Sequence, residues 1–114
     1  MKTPLFDLSK LKEISKGNEQ FVQKMVQIFI EETPIAIAEL TEAYEGKDVV
    51  KVKKIAHKIK PSIDFMGIAS ITNEIRFVEK NAETITSLEE LKLPILKINE
   101  MLTQVVKKLK EIDV

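Results

Sequence analysis

The chain has 114 residues, 44% of them apolar, and its 18 basic side chains balance 18 acidic ones. This length suits one compact domain over residues 1–114, and the charge balance excludes an overall field that would attract nucleic acid or an anionic membrane. The absence of cysteine excludes disulfides and thiolate metal sites, and the lack of a signal peptide or a membrane-spanning apolar run predicts a cytoplasmic protein.

Three helices are predicted in the first half of the chain. Apolar residues at helical spacing predict a short helix over residues 8–14 and a second helix over residues 18–32. Thr33-Pro34 then favours a new start, because threonine is a good N-cap and proline fits the first helical position. A third helix is therefore predicted from this pair to Gly46, which is a suitable C-cap.

Two further helices are predicted in the middle of the chain. Asp48 is a suitable N-cap for a fourth helix, whose inward stripe runs from Val52 to Met66 and ends near Gly67. Ser70 is the expected N-cap of a fifth helix. Residues 81–86 are then predicted to form a connection to the last helix.

The last segment carries a heptad-like seam. Its apolar residues recur at alternating steps of three and four from Leu88 to Ile112, which predicts the longest helix of the chain. Pro94 is unfavourable inside a helix, so this helix is predicted to start or kink there. Short connections favour antiparallel neighbours, and the predicted fold is all-α, an antiparallel up-and-down four-helix bundle with an additional short N-terminal helix.

The only histidine, His57, lies on the polar side of the fourth helix. At about 100° per residue it points roughly 140° away from the centre of the apolar stripe, so we expect it to be exposed. Lys53, Lys60, Pro61 and Asp64 lie one or two turns away on the same face. A neutral imidazole nitrogen can attack phosphorus, and nearby ammonium groups disfavour imidazolium and attract an anionic donor. Lys60 is the first candidate to contact phosphoryl oxygens, and Lys53 is the second.

The spacing around His57 fits other interpretations as well. A lone histidine among lysines is more often a solvated helix face than a reactive site. A transition-metal site is disfavoured because the chain has one histidine and no cysteine, and the sequence suggests no nucleophilic triad. It also has no Gly-rich phosphate loop, so ATP binding of the kinase type is not expected.

Residues 56–67 read AHKIKPSIDFMG, which resembles the signature of histidine-containing phosphotransfer (HPt) domains, A-H-x-L-K-G-S-x-x-x-[LM]-G. The resemblance continues at Phe6-Asp7-Leu8, at Gly17-Asn18, at the predicted helix junction over residues 29–34 and at Val78-Glu79. The signature residues in register are Ala56, His57, Lys60, Ser62, Met66 and Gly67.

This resemblance implies a helical bundle in which His57 takes a phosphoryl group from a receiver-domain phospho-aspartate and passes it to another receiver. It implies that Lys60 contacts the phosphoryl group. It also implies that the chain has no kinase activity and no cofactor of its own, since the Mg²⁺ used in transfer belongs to the receiver. The implied partners are response-regulator receiver domains and a hybrid sensor histidine kinase.

Pro61 departs from the signature, which usually has glycine four residues after the histidine. Proline lacks the amide that would donate to the His57 carbonyl, and its ring crowds that carbonyl. This substitution predicts a bend in the helix and a tilt of His57. The geometry of transfer is therefore expected to depend on this position.

Receiver sites are acidic around their metal, so a docking surface for them should be basic with apolar neighbours. The candidates for this surface, beside the reactive face, are Lys53, Lys54, Lys58, Lys60, Pro61, Asp64 and Phe65.

Two other classes of function are considered for this fold. A non-catalytic helical adaptor would bind signalling partners without phosphorylation, whereas a membrane-surface module would need a basic bias that the chain lacks. A monomer is expected because each helix has a polar face. Met1 fits a stand-alone protein and equally the start of a fragment of a larger hybrid kinase.

Overall fold

Helices form where apolar residues recur every three or four positions. The computed structural model of the chain describes residues 5–84 and 87–112, and these include a 3-10 turn over Ala69–Ile71 and no β-strand. The α-helices are α1 Ser9–Ser15, α2 Glu19–Glu45, α3 Val49–Phe65, α4 Thr72–Asn81 and α5 Glu89–Glu111. The prediction of an all-α protein is confirmed for this part of the chain.

The four longer helices enclose one hydrophobic core. Helix α2 packs against α3 and α5, and α4 packs against the same two helices, while α1 lies on α2. Leu40 of α2, Val52 and Ile63 of α3, Ile75 of α4 and Ile98 of α5 are all fully buried. Because α3 uses one side for this core, its other side is left to solvent beside α4.

The predicted break at Thr33-Pro34 is wrong, because α2 runs uninterrupted through Pro34. Thr33 is buried rather than acting as an N-cap. A proline inside a helix costs about 3 kcal/mol, whereas burying a large apolar side chain contributes about 2 kcal/mol. Phe29 before the proline and Leu40 after it both reach the core, so a continuous helix is favoured. At 27 residues α2, not α5 with 23, is the longest helix of the described chain.

The predicted start at Pro94 is also wrong, since α5 begins at Glu89 with Pro94 inside it. Leu91 is fully buried, so the turn that precedes the proline contributes to the core. The predicted seam is confirmed from Leu91 to Leu109, since Ile95, Ile98 and Leu102 face inward with Leu91, but its last residue, Ile112, is exposed and lies beyond α5. Burial again outweighs the single hydrogen bond that the proline removes.

Of the two predicted N-caps in the middle of the chain, one is confirmed. The Asp48 side chain accepts a hydrogen bond from the Lys51 amide at 3.1 Å. Ser70 does not cap α4, because it lies in the 3-10 turn before Thr72. Its hydroxyl is buried with no hydrogen-bond partner within the described residues. A connection was predicted over residues 81–86, and residues 85–86 of it lie outside the part of the chain that the structure describes.

The end of α3 is held by the segment that precedes α1. The Asp7 amide donates to the Met66 carbonyl at 2.9 Å, and Gly67 follows with a positive φ of 61°. A Cβ atom on Gly67 would lie 2.4 Å from the Asp7 carbonyl oxygen. Only glycine therefore allows both this backbone conformation and the close approach of the N-terminal segment.

Candidate functional site

His57 lies in the middle of α3 and points away from the core. Its side chain is 74% exposed, while the preceding Ala56 is fully buried. The expected exposure of His57 thus agrees with the structure, because the stripe of α3 that faces the core takes the positions around 52, 56, 59 and 63. One imidazole edge faces α4, and the ring is open to an approaching molecule.

Glu79 of α4 bridges His57 and Lys60 of α3. The Nδ1 atom of His57 forms a hydrogen bond with Oε2 of Glu79, and the Lys60 ammonium donates to Oε1 of the same carboxylate at 2.6 Å. The Glu79 side chain is 15% exposed and that of Lys60 is 31% exposed. One largely enclosed carboxylate therefore holds both side chains in place next to an open imidazole.

The charge of Glu79 determines what the imidazole can do. The hydrogen bond from Lys60, followed by the one from His57, holds the pKa of Glu79 below its ordinary value, so Glu79 is a carboxylate at neutral pH. A carboxylate accepts hydrogen bonds only, so of the two neutral imidazole tautomers it selects the one with the proton on Nδ1. That tautomer leaves the lone pair on Nε2 of the exposed ring.

The other lysines of α3 differ in their surroundings. The Lys53 ammonium lies 3.9 Å from Oε1 of Glu83, in the turn that follows α4, and both side chains are substantially exposed. Lys54 and Lys58 are exposed. Lys53 and Lys60 thus lie toward α4, and the structure brings Lys60 but not Lys53 into contact with the carboxylate that holds His57.

The remaining predicted site residues lie toward the C-terminal end of α3. Pro61 is exposed, and α3 continues past it to Phe65. Asp64 is half-buried in the last turn. Phe65 is 37% exposed, and the Lys10 ammonium of α1 lies 5.7 Å from the centre of its ring. None of Pro61, Asp64 and Phe65 is a hydrogen-bond or ion-pair partner of Glu79, whose partners are His57 and Lys60.

An apolar groove of about 200 Å³ runs between α2 and α3. Ile35 and Phe65 contribute exposed apolar side chains to it. Glu32 and Glu39 border it from α2, and Lys58 borders it from α3. The groove therefore joins apolar surface to the lysine-bearing helix that carries His57.

Glu79 is the site residue that sequence reasoning did not assign a role. In the sequence it stands out only as part of the Val78-Glu79 pair that resembles the HPt family. Val78 and Ile75 are fully buried, so Glu79 follows directly on the core stripe of α4, at its border with a neighbouring helix. A polar residue at such a border is a candidate for a contact with another helix. Spacing within α4 does not show, however, that this helix is α3 or how α3 and α4 align.

Two further properties bear on the kind of site this is. Among the residues that the structure describes, no group of three or more His, Cys, Asp or Glu side chains could hold a metal ion. None of the helices in residues 5–84 and 87–112 is long and apolar enough to cross a membrane.

Comparison with known proteins agrees with this geometry. A family model described as the Hpt domain matches residues 24–108, which include α3, α4 and most of α2 and α5. No curated protein and no solved structure gives a significant match. Because the match spans most of the chain, the chain belongs to the Hpt domain family, whose members are phosphocarrier modules of two-component signalling rather than kinases.

Proposed function

We propose that this chain is a phosphorelay carrier that accepts a phosphoryl group on Nε2 of His57 and passes it on. The donor is a receiver-domain phospho-aspartate and the acceptor is another receiver domain. The observation that carries the proposal is the exposed imidazole whose Nδ1 is held by Glu79. The proposal includes a single domain over residues 1–114 that works in the cytoplasm and has no cofactor of its own.

The transfer step balances with the groups at the site. The Nε2 lone pair forms a bond to phosphorus while the bond from phosphorus to the partner's aspartyl oxygen breaks, and the aspartate leaves as a carboxylate. The ring keeps its Nδ1 proton and becomes positively charged. The Glu79 carboxylate stabilises that charge and keeps the ring in a productive orientation. Transfer to the acceptor reverses these steps.

Lys60 is the proposed phosphoryl-contacting residue. Its ammonium is one helical turn from His57 and is already ordered by Glu79 at 2.6 Å. When negative charge arrives on Nε2, the ammonium can share its hydrogen bonds between Glu79 and a phosphoryl oxygen. Lys53 contributes positive potential from the preceding turn, without a contact of its own to Glu79.

The proposed docking surface combines charge and apolar area. Lys54 and Lys58 face solvent beside His57, and the groove with Phe65 begins next to Lys58. Pro61 and Asp64 extend this surface toward the end of α3. Such a surface complements a receiver that is acidic around its Mg²⁺. The partners are therefore response-regulator receivers and a hybrid sensor kinase, bound by a monomer, with no role for nucleic acid or membrane.

The proposed architecture is an antiparallel up-and-down bundle of α2 to α5 with α1 as the additional short helix. Contacts between neighbouring helices support it because they run in opposite order. His57 of α3 lies opposite Glu79 of α4, and Lys53, one turn earlier in α3, lies opposite Glu83 in the turn after α4. This geometry places the reactive face of α3 in the middle of the bundle, away from its ends.

The test is labelling of the purified chain by a phosphorylated receiver domain in the presence of Mg²⁺. Mass spectrometry under mildly alkaline conditions, which preserve phosphohistidine, should find the phosphate on His57. His57→Gln should remove labelling completely, whereas Lys51→Gln, which changes an exposed residue of the same helix, should retain it. Acid-labile phosphate on the His57→Gln variant would reject His57 as the acceptor. No phosphate on the folded wild type across several receivers would favour the non-catalytic adaptor.

A further inference from the structure

Pro61 changes the backbone directly beneath His57. In a helix, the amide of residue 61 would donate to the carbonyl of residue 57, but proline has no amide hydrogen. Pro61 lies inside α3, and both His57 and Pro61 are exposed. The His57 carbonyl therefore lacks its helical donor at the same place where the imidazole meets solvent.

Carbonyls on the solvent side of a helix tilt outward toward water. His57 and Pro61 both lie on the exposed side of α3, so water can reach this carbonyl in the free protein. Side-chain donors of the chain itself are directed elsewhere. The Lys60 ammonium is bound to Glu79 at 2.6 Å, and the Lys53 ammonium lies toward Glu83. Neither of these two lysines therefore replaces the donor that Pro61 removes, and the carbonyl remains an acceptor on the side of the Pro61 ring that faces solvent.

A docked partner removes the water from this carbonyl. A buried acceptor without a donor weakens a complex by a factor on the order of ten or more, whereas a partner that supplies an N–H or O–H group avoids that loss. A loss of binding free energy that affects only partners without such a donor makes binding more specific. The effect is confined to complexes that cover α3 around His57, which is where a phosphoryl donor must approach.

We propose that Pro61 is a specificity-determining residue, which leaves the His57 carbonyl as an unpaired acceptor and so favours receiver domains that place a hydrogen-bond donor opposite it. This inference rests on the proposed function and adds the chemistry by which receivers are distinguished. It differs from a steric role of the proline ring, because it depends on the missing amide rather than on the volume of the side chain.

Two substitutions separate the amide from the ring. Pro61→Ala restores the amide and removes the bulk, and Pro61→Val restores the amide while keeping an apolar side chain of similar size. Each variant of the full chain is phosphorylated by a panel of phosphorylated receiver domains, and kcat/KM is compared between the fastest and the slowest receiver. Phosphoramidate, a small donor that does not dock on the surface, reports the intrinsic reactivity of His57.

The expected result is that the ratio of kcat/KM between the fastest and the slowest receiver falls about tenfold in both variants. Any change in phosphoramidate labelling should be several-fold smaller than the change with receivers. An unchanged ratio in Pro61→Val would overturn the inference, and so would a change with phosphoramidate as large as that with receivers, which would show that Pro61 orients His57. Failure of every receiver to label the wild type would reject the proposed function together with the inference. If receivers label the wild type but the kcat/KM ratio between receivers is the same in the Pro61 variants as in the wild type, the inference alone is rejected.

Discussion

The polar contact between α3 and α4 and the one between α2 and α5 differ in how far water reaches them. Between α3 and α4, His57 and Lys60 share the Glu79 carboxylate, and the imidazole stays open to solvent. Between α2 and α5, the Asn99 amide donates to the Thr41 hydroxyl at 2.8 Å, and both side chains are half-buried. The open contact leaves a ring nitrogen free to react, whereas the enclosed contact can only specify how two helices align.

Of the variants that alter one of these two contacts, Lys60→Ala at the contact between α3 and α4 is expected to have the largest effect on phosphoryl transfer. Removing an ammonium that stabilises the transferring oxygens should slow phosphoryl transfer about 100-fold, with little change in the free energy of unfolding because the side chain is partly exposed. Rapid-quench measurement of transfer from a phosphorylated receiver tests this. Lys51→Ala is the matched control, and an equal loss in both variants would remove the special role of Lys60.

A smaller effect is expected from Glu79→Gln, which keeps the shape of the side chain but removes its charge. The preference for the Nδ1–H tautomer weakens, so transfer should slow about tenfold. Nitrogen NMR of the imidazole reads the tautomer directly. An unchanged tautomer balance with a normal transfer rate would mean that Glu79 only supports the packing of α3 on α4.

The same variant predicts a dependence of stability on pH. Because Lys60 and His57 lower the pKa of Glu79 in the folded protein, the ionised carboxylate stabilises the fold above its ordinary pKa, and this contribution disappears as the pH falls through the lowered value. Urea unfolding should find Glu79→Gln less stable by about 1 kcal/mol at pH 7. The difference should close as the pH falls below the ordinary pKa of the carboxyl group and through its lowered value. A difference that is constant over this range contradicts the assignment.

The smallest effect on function is expected at the enclosed contact. Thr41→Val removes the partner of Asn99 and should lower the free energy of unfolding by about 1 to 2 kcal/mol, while transfer stays within about twofold of wild type. Adding Asn99→Leu should recover part of that loss, because the unpaired amide is replaced as well. Thermal unfolding and the transfer assay measure both quantities, and a slower transfer would show that the two contacts are coupled.

The helix boundaries show where local signals misled. Thr33-Pro34 and Pro94 are good local reasons to start a helix, yet α2 and α5 run through both prolines. Apolar residues on both sides of each proline reach the same core, and their combined burial outweighs a single lost hydrogen bond. Ser70 failed as a cap for a related reason, since the chain enters α4 through a 3-10 turn.

The sequence by itself determined that His57 stands on the polar face of an amphipathic helix and that its surroundings resemble the Hpt signature. Those features depend on spacing within one helix, which the order of residues fully specifies. Only the tertiary structure decided that Glu79, 22 residues away, meets both His57 and Lys60. That contact depends on how α3 and α4 align, and their alignment follows from burial summed over the whole core rather than from any local pattern.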